Sequence, residues 1–156
     1  MKLYLMRHGD YVDASVNPEK PLSPKGMETV KKVGQFFKNY GVKVDIIFHS
    51  TKKRAQQTAQ IVRNLINEEA HIEPKDYLSP NDATENIIYD ISSLDEDTLI
   101  VGHLPFLPTL VADLTCQGIQ ESPVQKMPAG SVVVLERDED QRWNIVSVVM
   151  PDTLEM

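Results

Sequence analysis

Three short apolar runs, each cut off at a histidine, constrain the fold of this chain more than any other feature. Leu3-Tyr4-Leu5-Met6 ends in Arg7-His8-Gly9. Val44-Asp45-Ile46-Ile47-Phe48 ends in His49-Ser50, with Arg54 in the first turn of the helix expected next. Thr98-Leu99-Ile100-Val101 ends in Gly102-His103. Apolar runs this short have the length of buried strands. A strand alternates its faces, so Arg7 and His8 would point apart if the first strand continued. They can serve one site only if the chain leaves the sheet there, and Gly9 would permit such a turn.

Between the runs the pattern changes period. Ser23-Pro24 supplies an N-cap and a first-turn proline, and Met27, Val30, Val33 and Phe37 follow at helical spacing up to a stop at Gly41. Ser50 or Thr51 can cap a second helix with Ala55, Ala59, Val62 and Ile66 on one face. Residues 11–22 and 70–82 read as loops, with prolines in both, and residues 83–93 as a short helix. A helix is expected from about 105 to 116, where Pro105 and Pro108 lie in or near the first turn. Residues 131–136 and 143–150 read as a hairpin around a charged turn. Strands alternating with helices, then two strands in sequence, predict an α/β layered fold with a mostly parallel mixed sheet and an antiparallel addition. No linker or repeat divides the 156 residues, so a single domain over 1–156 is expected.

The net charge of −7 disfavours nucleic acid or an anionic membrane as partner, since either calls for a basic face. No run approaches the ~18 apolar residues of a membrane span. Cys116 is the only cysteine, which excludes an internal disulfide and suits a reducing compartment; its default role is apolar filler in a helix. The expected location is cytoplasmic.

Each candidate functional residue sits near the carboxyl end of an expected strand, the edge where open α/β sheets bind ligands. Two arginines and two histidines there, with helix starts beside them, suit an anion. Phosphate is the obvious one, because guanidinium forks match its oxygens. Neutral imidazole is a competent nucleophile near pH 7, and fixed donors would stabilise the charge that attack on phosphorus spreads over three oxygens. There is no metal-binding HExxH, no P-loop and no cysteine pair.

Four motifs in order now become specific. Arg7-His8-Gly9, the segment from Leu22-Ser23 to Gly26, the run from Ser50 to Ala59 containing Arg54, and Val101-Gly102-His103-Leu104-Pro105 together resemble the histidine phosphatase superfamily, the phosphoglycerate-mutase-like group. Small size and the piece Arg7-His8-Gly9-Asp10 resemble its short phosphohistidine phosphatase branch, the SixA type. The resemblance implies a three-layer fold, His8 as the nucleophile that becomes phosphohistidine, and Arg7, Arg54 and His103 as the holders of the phosphoryl oxygens. It implies no metal and no cofactor.

A general acid is not fixed by any motif: Asp10 and Glu85 are the candidates carried forward, with Asp82 beside Glu85. His49 and His71 are assigned structural roles, and Lys52 and Lys53 a solvated helix start. The stretch between Arg54 and His103 leaves no room for a lid, which points to an open site suited to a phosphorylated protein. The expected activity is therefore metal-independent dephosphorylation of protein phosphohistidine. The alternatives are a phosphatase of the same fold acting on a small phosphorylated substrate, and a non-catalytic phosphate-binding module.

Overall fold

Residues Lys2–Arg7 form β1, whose side chains divide between two cores. Leu3 and Leu5 enter one core, Tyr4 and Met6 the other, so both faces of the strand are covered. The computed structural model describes residues 1–115, 122–124 and 126–154. Cys116 lies outside them.

The remaining strands are β2 (Ile46–Ser50), β3 (His71–Lys75), β4 (Thr98–Gly102), β5 (Val132–Arg137) and β6 (Trp143–Val149). They form one six-stranded sheet in the order β3-β2-β4-β1-β5-β6. Pairing is parallel from β3 through β1 and antiparallel from β1 through β6, as the pattern of alternating elements and a final hairpin predicts. Helices α1 (Pro24–Asn39) and α2 (Lys53–Ile66) pack on the face of Tyr4 and Met6. Helices α3 (Glu85–Ser92) and α4 (Phe106–Thr115) pack on the face of Leu3 and Leu5. Among the described residues no helix is long and apolar enough to cross a membrane.

Several boundaries differ from the sequence reading. β2 runs on through His49 and Ser50, which belong to the strand rather than following it. Residues 71–75, expected as loop, form an edge strand. Only Ile72 in it is aliphatic, and Pro74 argues against a strand in general, yet an edge strand has just one neighbour to satisfy. In α1 the Ser23 hydroxyl accepts from the Gly26 amide at 3.0 Å as expected. The buried stripe is Gly26, Val30, Val33, Gly34 and Phe37, with Met27 displaced to the exposed side. Neither Ser50 nor Thr51 is the N-cap of α2: that position is Lys52, whose own side chain makes no capping hydrogen bond. The Ser50 hydroxyl has another use.

Candidate active site

The tip of β1 is held on both sides. The His8 amide donates to the Gly102 carbonyl of β4 at 3.1 Å, and the Arg7 amide donates to the Ser131 carbonyl at 3.0 Å. The Gly130 amide bridges the carbonyls of Arg7 and His8 at 3.0 and 3.1 Å. Gly9 is required for space, not for an unusual backbone angle: a Cβ there would stand 2.7 Å from Cγ2 of Val30 and 3.1 Å from the Gly26 carbonyl oxygen. Gly26 is needed for the same reason, since its Cβ would lie 2.0 Å from the carbonyl oxygen of Asp10. The Gly9 amide donates to Oγ1 of Thr58 at 3.0 Å, and that hydroxyl donates to the Arg54 carbonyl at 2.8 Å. This relay ties the first turn of α2, and so Arg54, to the end of β1.

Arg7, His8, Arg54 and His103 meet where these pieces converge. Nδ1 of His8 lies 2.8 Å from the Gly9 carbonyl oxygen. A carbonyl can only accept, so Nδ1 carries the ring proton and Nε2 keeps its lone pair. The His8 ring stands 4.9 Å from the His103 ring and 5.3 Å from Tyr11, centroid to centroid. The Arg54 guanidinium stacks 4.7 Å over Tyr11. Arg7 donates through Nη1 to the Met127 carbonyl at 2.9 Å. Nε2 of His103 lies 2.7 Å from Oγ of Ser50, which also accepts from the Lys52 amide at 3.2 Å. The Nε–H groups of Arg7 and Arg54 are buried without a protein partner. Each is a donor whose burial costs about 1–3 kcal/mol until something accepts from it.

Both imidazoles are nearly inaccessible, at 3% exposure for His8 and 2% for His103. Burial pushes the His8 pKa down to about 4; the Gly9 carbonyl opposes this, Arg54 and Arg7 add to it, and Asp10 offsets a little. Burial likewise lowers His103 to about 3, with further push from His8, Arg54, Lys52 and Arg7. The two arginines thus help to keep His8 neutral, but desolvation is the larger cause. At neutral pH the site holds two uncharged imidazoles between two permanent cations. Its chemistry is that of a nucleophilic nitrogen facing a set of fixed donors.

The other candidates lie elsewhere or play smaller parts. Asp10 is exposed; its carboxylate accepts from the Ser23 hydroxyl at 3.1 Å. Glu85 is exposed in the first turn of α3, and no hydrogen bond or ion pair joins it to the four central residues. Asp82 accepts from the Ser79 amide and closes a turn. His49 is buried with Nδ1 on the Ser50 carbonyl, and exposed His71 stands 3.6 Å from Glu73. Lys53 is solvated, while Lys52 lies close enough to His103 to lower its pKa. Tyr11, Ser50, Thr58 and the Met127 carbonyl complete the site; Ser50 and Thr58 lie in the run that carries the resemblance, but no sequence pattern assigns any of the four its role. Only the tertiary convergence of β1, β2, α2 and the segment before β5 brings them together.

A sequence profile described as Histidine phosphatase superfamily (branch 1) matches residues 3–76. The phosphohistidine phosphatase SixA of Escherichia coli is 26% identical over 149 residues, covering 92% of this chain and 91% of that protein. The human mitochondrial serine/threonine-protein phosphatase PGAM5 is 32% identical over 84 residues, covering 46% of this chain and 29% of its own. Among solved structures, the protein histidine phosphatase SixA complexed with tungstate superposes with a TM-score of 0.87 at 23% identity, covering 99% of this chain and all of that one.

Proposed function

We propose that this chain, whose residues 3–76 match the histidine phosphatase superfamily profile, is a phosphatase acting on protein phosphohistidine through a covalent intermediate on Nε2 of His8. The observation that carries this reading is the bond from Nδ1 of His8 to the Gly9 carbonyl, which leaves Nε2 unprotonated in a buried site lined by Arg7, Arg54 and His103. In the first step the Nε2 lone pair forms a bond to phosphorus while the bond from phosphorus to the leaving nitrogen breaks. That nitrogen keeps the electron pair and takes a proton from solvent. In the second step a water oxygen bonds to phosphorus, the bond to Nε2 breaks and its electron pair returns to the ring, and the proton lost by that water passes to solvent as phosphate leaves.

Arg7, Arg54 and His103 hold the three oxygens that gather charge in both steps. The unpartnered Nε–H groups of the two arginines supply donors suited to a tetrahedral oxyanion, the class of ion represented by the tungstate in the SixA structure. A phosphoramidate leaving group also fits the absence of a carboxylate bonded to either imidazole among the described residues. An imidazole leaving group protonates readily, whereas an alkoxide needs an acid delivered to it.

Rapid quenching of a reaction with labelled phosphoramidate should trap phosphate on His8 in an acid-labile, base-stable form. Turnover should survive EDTA. Efficient hydrolysis of phosphate esters with no turnover of phosphohistidine would replace this reading with the small-substrate alternative.

A further inference from the structure

Beside the four central residues lies a cavity of about 630 Å³ between the loop ending at Lys20 and the first turn of α2. Lys20, Lys52, Lys53 and Arg54 line it, against the single carboxylate of Glu19. Arg54 lines this cavity and also stands with His8 and His103, so the cavity adjoins the reaction site. In a chain of net charge −7, four cations around one opening form a local reversal of sign.

Of these cations only Lys20 has a carboxylate acting on it among the described residues, that of Asp13, whose pKa it helps to lower from a distance. None of the four forms an ion pair among the described residues, where the salt bridges involve His71, Lys75 and Arg137 instead. Three of them follow one another at the start of α2, whose first turn contains no acidic residue. The amino end of a helix favours negative charge, so Lys52, Lys53 and Arg54 sit where the helix field opposes them. Lys20 arrives from a different element with a backbone φ of +50°, a conformation lysine rarely adopts. Turns closed by Asp13 and Asn17 hold that loop, and the Lys20 ammonium stands 5.7 Å over the Tyr11 ring, the ring that also carries Arg54.

We infer that this cavity is an anion subsite that receives the carboxylate side chains flanking the phosphohistidine of an acidic protein substrate. The inference rests on the phosphohistidine reading for its substrate, and on the cavity itself for its chemistry. Over the molecule as a whole the net charge of −7 disfavours an acidic partner. At the opening it is attracted, and its phosphoryl group is led past Lys20 and Lys53 to Arg54 and His8. Polypeptide carboxylates fit better than one compact second phosphate, because the cations are spread around a wide solvated space on two elements.

The test compares two phosphohistidine peptides of equal length, one with glutamates and one with glutamines on both sides, and phosphoramidate, which has no flanks. Wild-type protein should favour the acidic peptide in kcat/KM at low salt by roughly three- to tenfold, the effect of two exposed ion pairs. Lys20→Gln combined with Lys53→Gln should erase that preference through KM and leave phosphoramidate turnover within about twofold, as expected for charges on the rim. The subsite is overturned if the double variant keeps the preference, if phosphoramidate turnover falls with it, or if a bisphosphorylated small ester depends on the two lysines more than the acidic peptide does. Fluorescence anisotropy with an unphosphorylated hexaglutamate peptide reads the cavity without turnover. Binding that is lost in the double variant and in salt supports the subsite even if no phosphohistidine is hydrolysed, an outcome that would remove the functional reading alone. No binding to wild-type protein overturns the subsite.

Discussion

His8, one residue past β1, and His49, near the end of β2, share their local geometry. Each is buried, and each places Nδ1 2.8 Å from the carbonyl of the following residue. Both bonds leave Nε2 with the lone pair. The two strands lie on either side of β4, separated by that single strand. What separates the regions is company. Around His8 stand a second imidazole, Tyr11 and two guanidinium groups, whereas His49 has no ring contact or ion pair among the described residues. The tautomer is thus a local product of a strand end, and reactivity comes from what other elements bring to it.

The sharpest way to break this comparison is to delete each ring. His8→Ala should abolish phosphoenzyme trapping and cut turnover roughly 10⁴-fold or more, as loss of a nucleophile does. His49→Ala should keep activity within about threefold and instead lower the urea midpoint, because a buried, bonded side chain is lost. Equal losses of turnover in the two variants would end the distinction.

The surroundings of His8 come next. Arg54→Ala or His103→Ala should slow transfer by roughly 10²–10³, the cost of one preorganised donor. Ser50→Ala should cost about tenfold by removing the hydrogen bond that orients His103, with kcat affected more than KM. A Ser50→Thr variant, which keeps the hydroxyl, should recover part of that loss. An unchanged kcat in Ser50→Ala would show that His103 holds its position without the hydroxyl.

The pH dependence of stability refines the contrast most gently. His8 is lowered to about 4 and His103 to about 3 in the folded protein, against about 6.5 when unfolded. Between these values the unfolded chain binds more protons than the folded one, so stability rises with pH and is lost as pH falls below about 6.5. Urea midpoints should therefore fall from pH 6.5 towards pH 4. They should fall less in His8→Asn and His103→Asn, which remove the titrating rings. Phosphate binding should counter the loss, since an anion beside both rings raises their pKa values.

Much of this was legible in the sequence because apolar runs and helical spacing are local. β1, β4, the β5–β6 hairpin, the Ser23 cap and the gathering of Arg7, His8, Arg54 and His103 at one sheet edge all follow from such patterns. β3 escaped because His71-Ile72-Glu73-Pro74-Lys75 carries too little apolar signal, and its strand state comes from pairing with β2. Ser50 was read as a helix cap, yet its hydroxyl faces His103, a partner 53 residues away that no local pattern reveals. Gly9 was read through backbone freedom, whereas crowding by Val30 and Gly26 fixes it. Contacts set by tertiary approach were the part that residue spacing could not convey.

The loop that carries Lys20 is closed at its neck. The Ser23 amide donates to the Asp10 carbonyl at 3.0 Å, Tyr11 bridges Leu22, and the Val12 amide donates to the Pro21 carbonyl at 2.9 Å. The Leu22 amide is in turn fastened to the Gln57 side chain at 2.7 Å. Chain added beyond such a neck does not shift His8 below it, and doubling the loop costs only about 0.6 kcal/mol in closure entropy. Residues 13–19 are thereby an exchangeable cassette. Lineages descended from this sequence can lengthen or rewrite it to acquire new clients while inheriting the reaction unaltered, and a protein engineer can graft recognition segments there for the same reason.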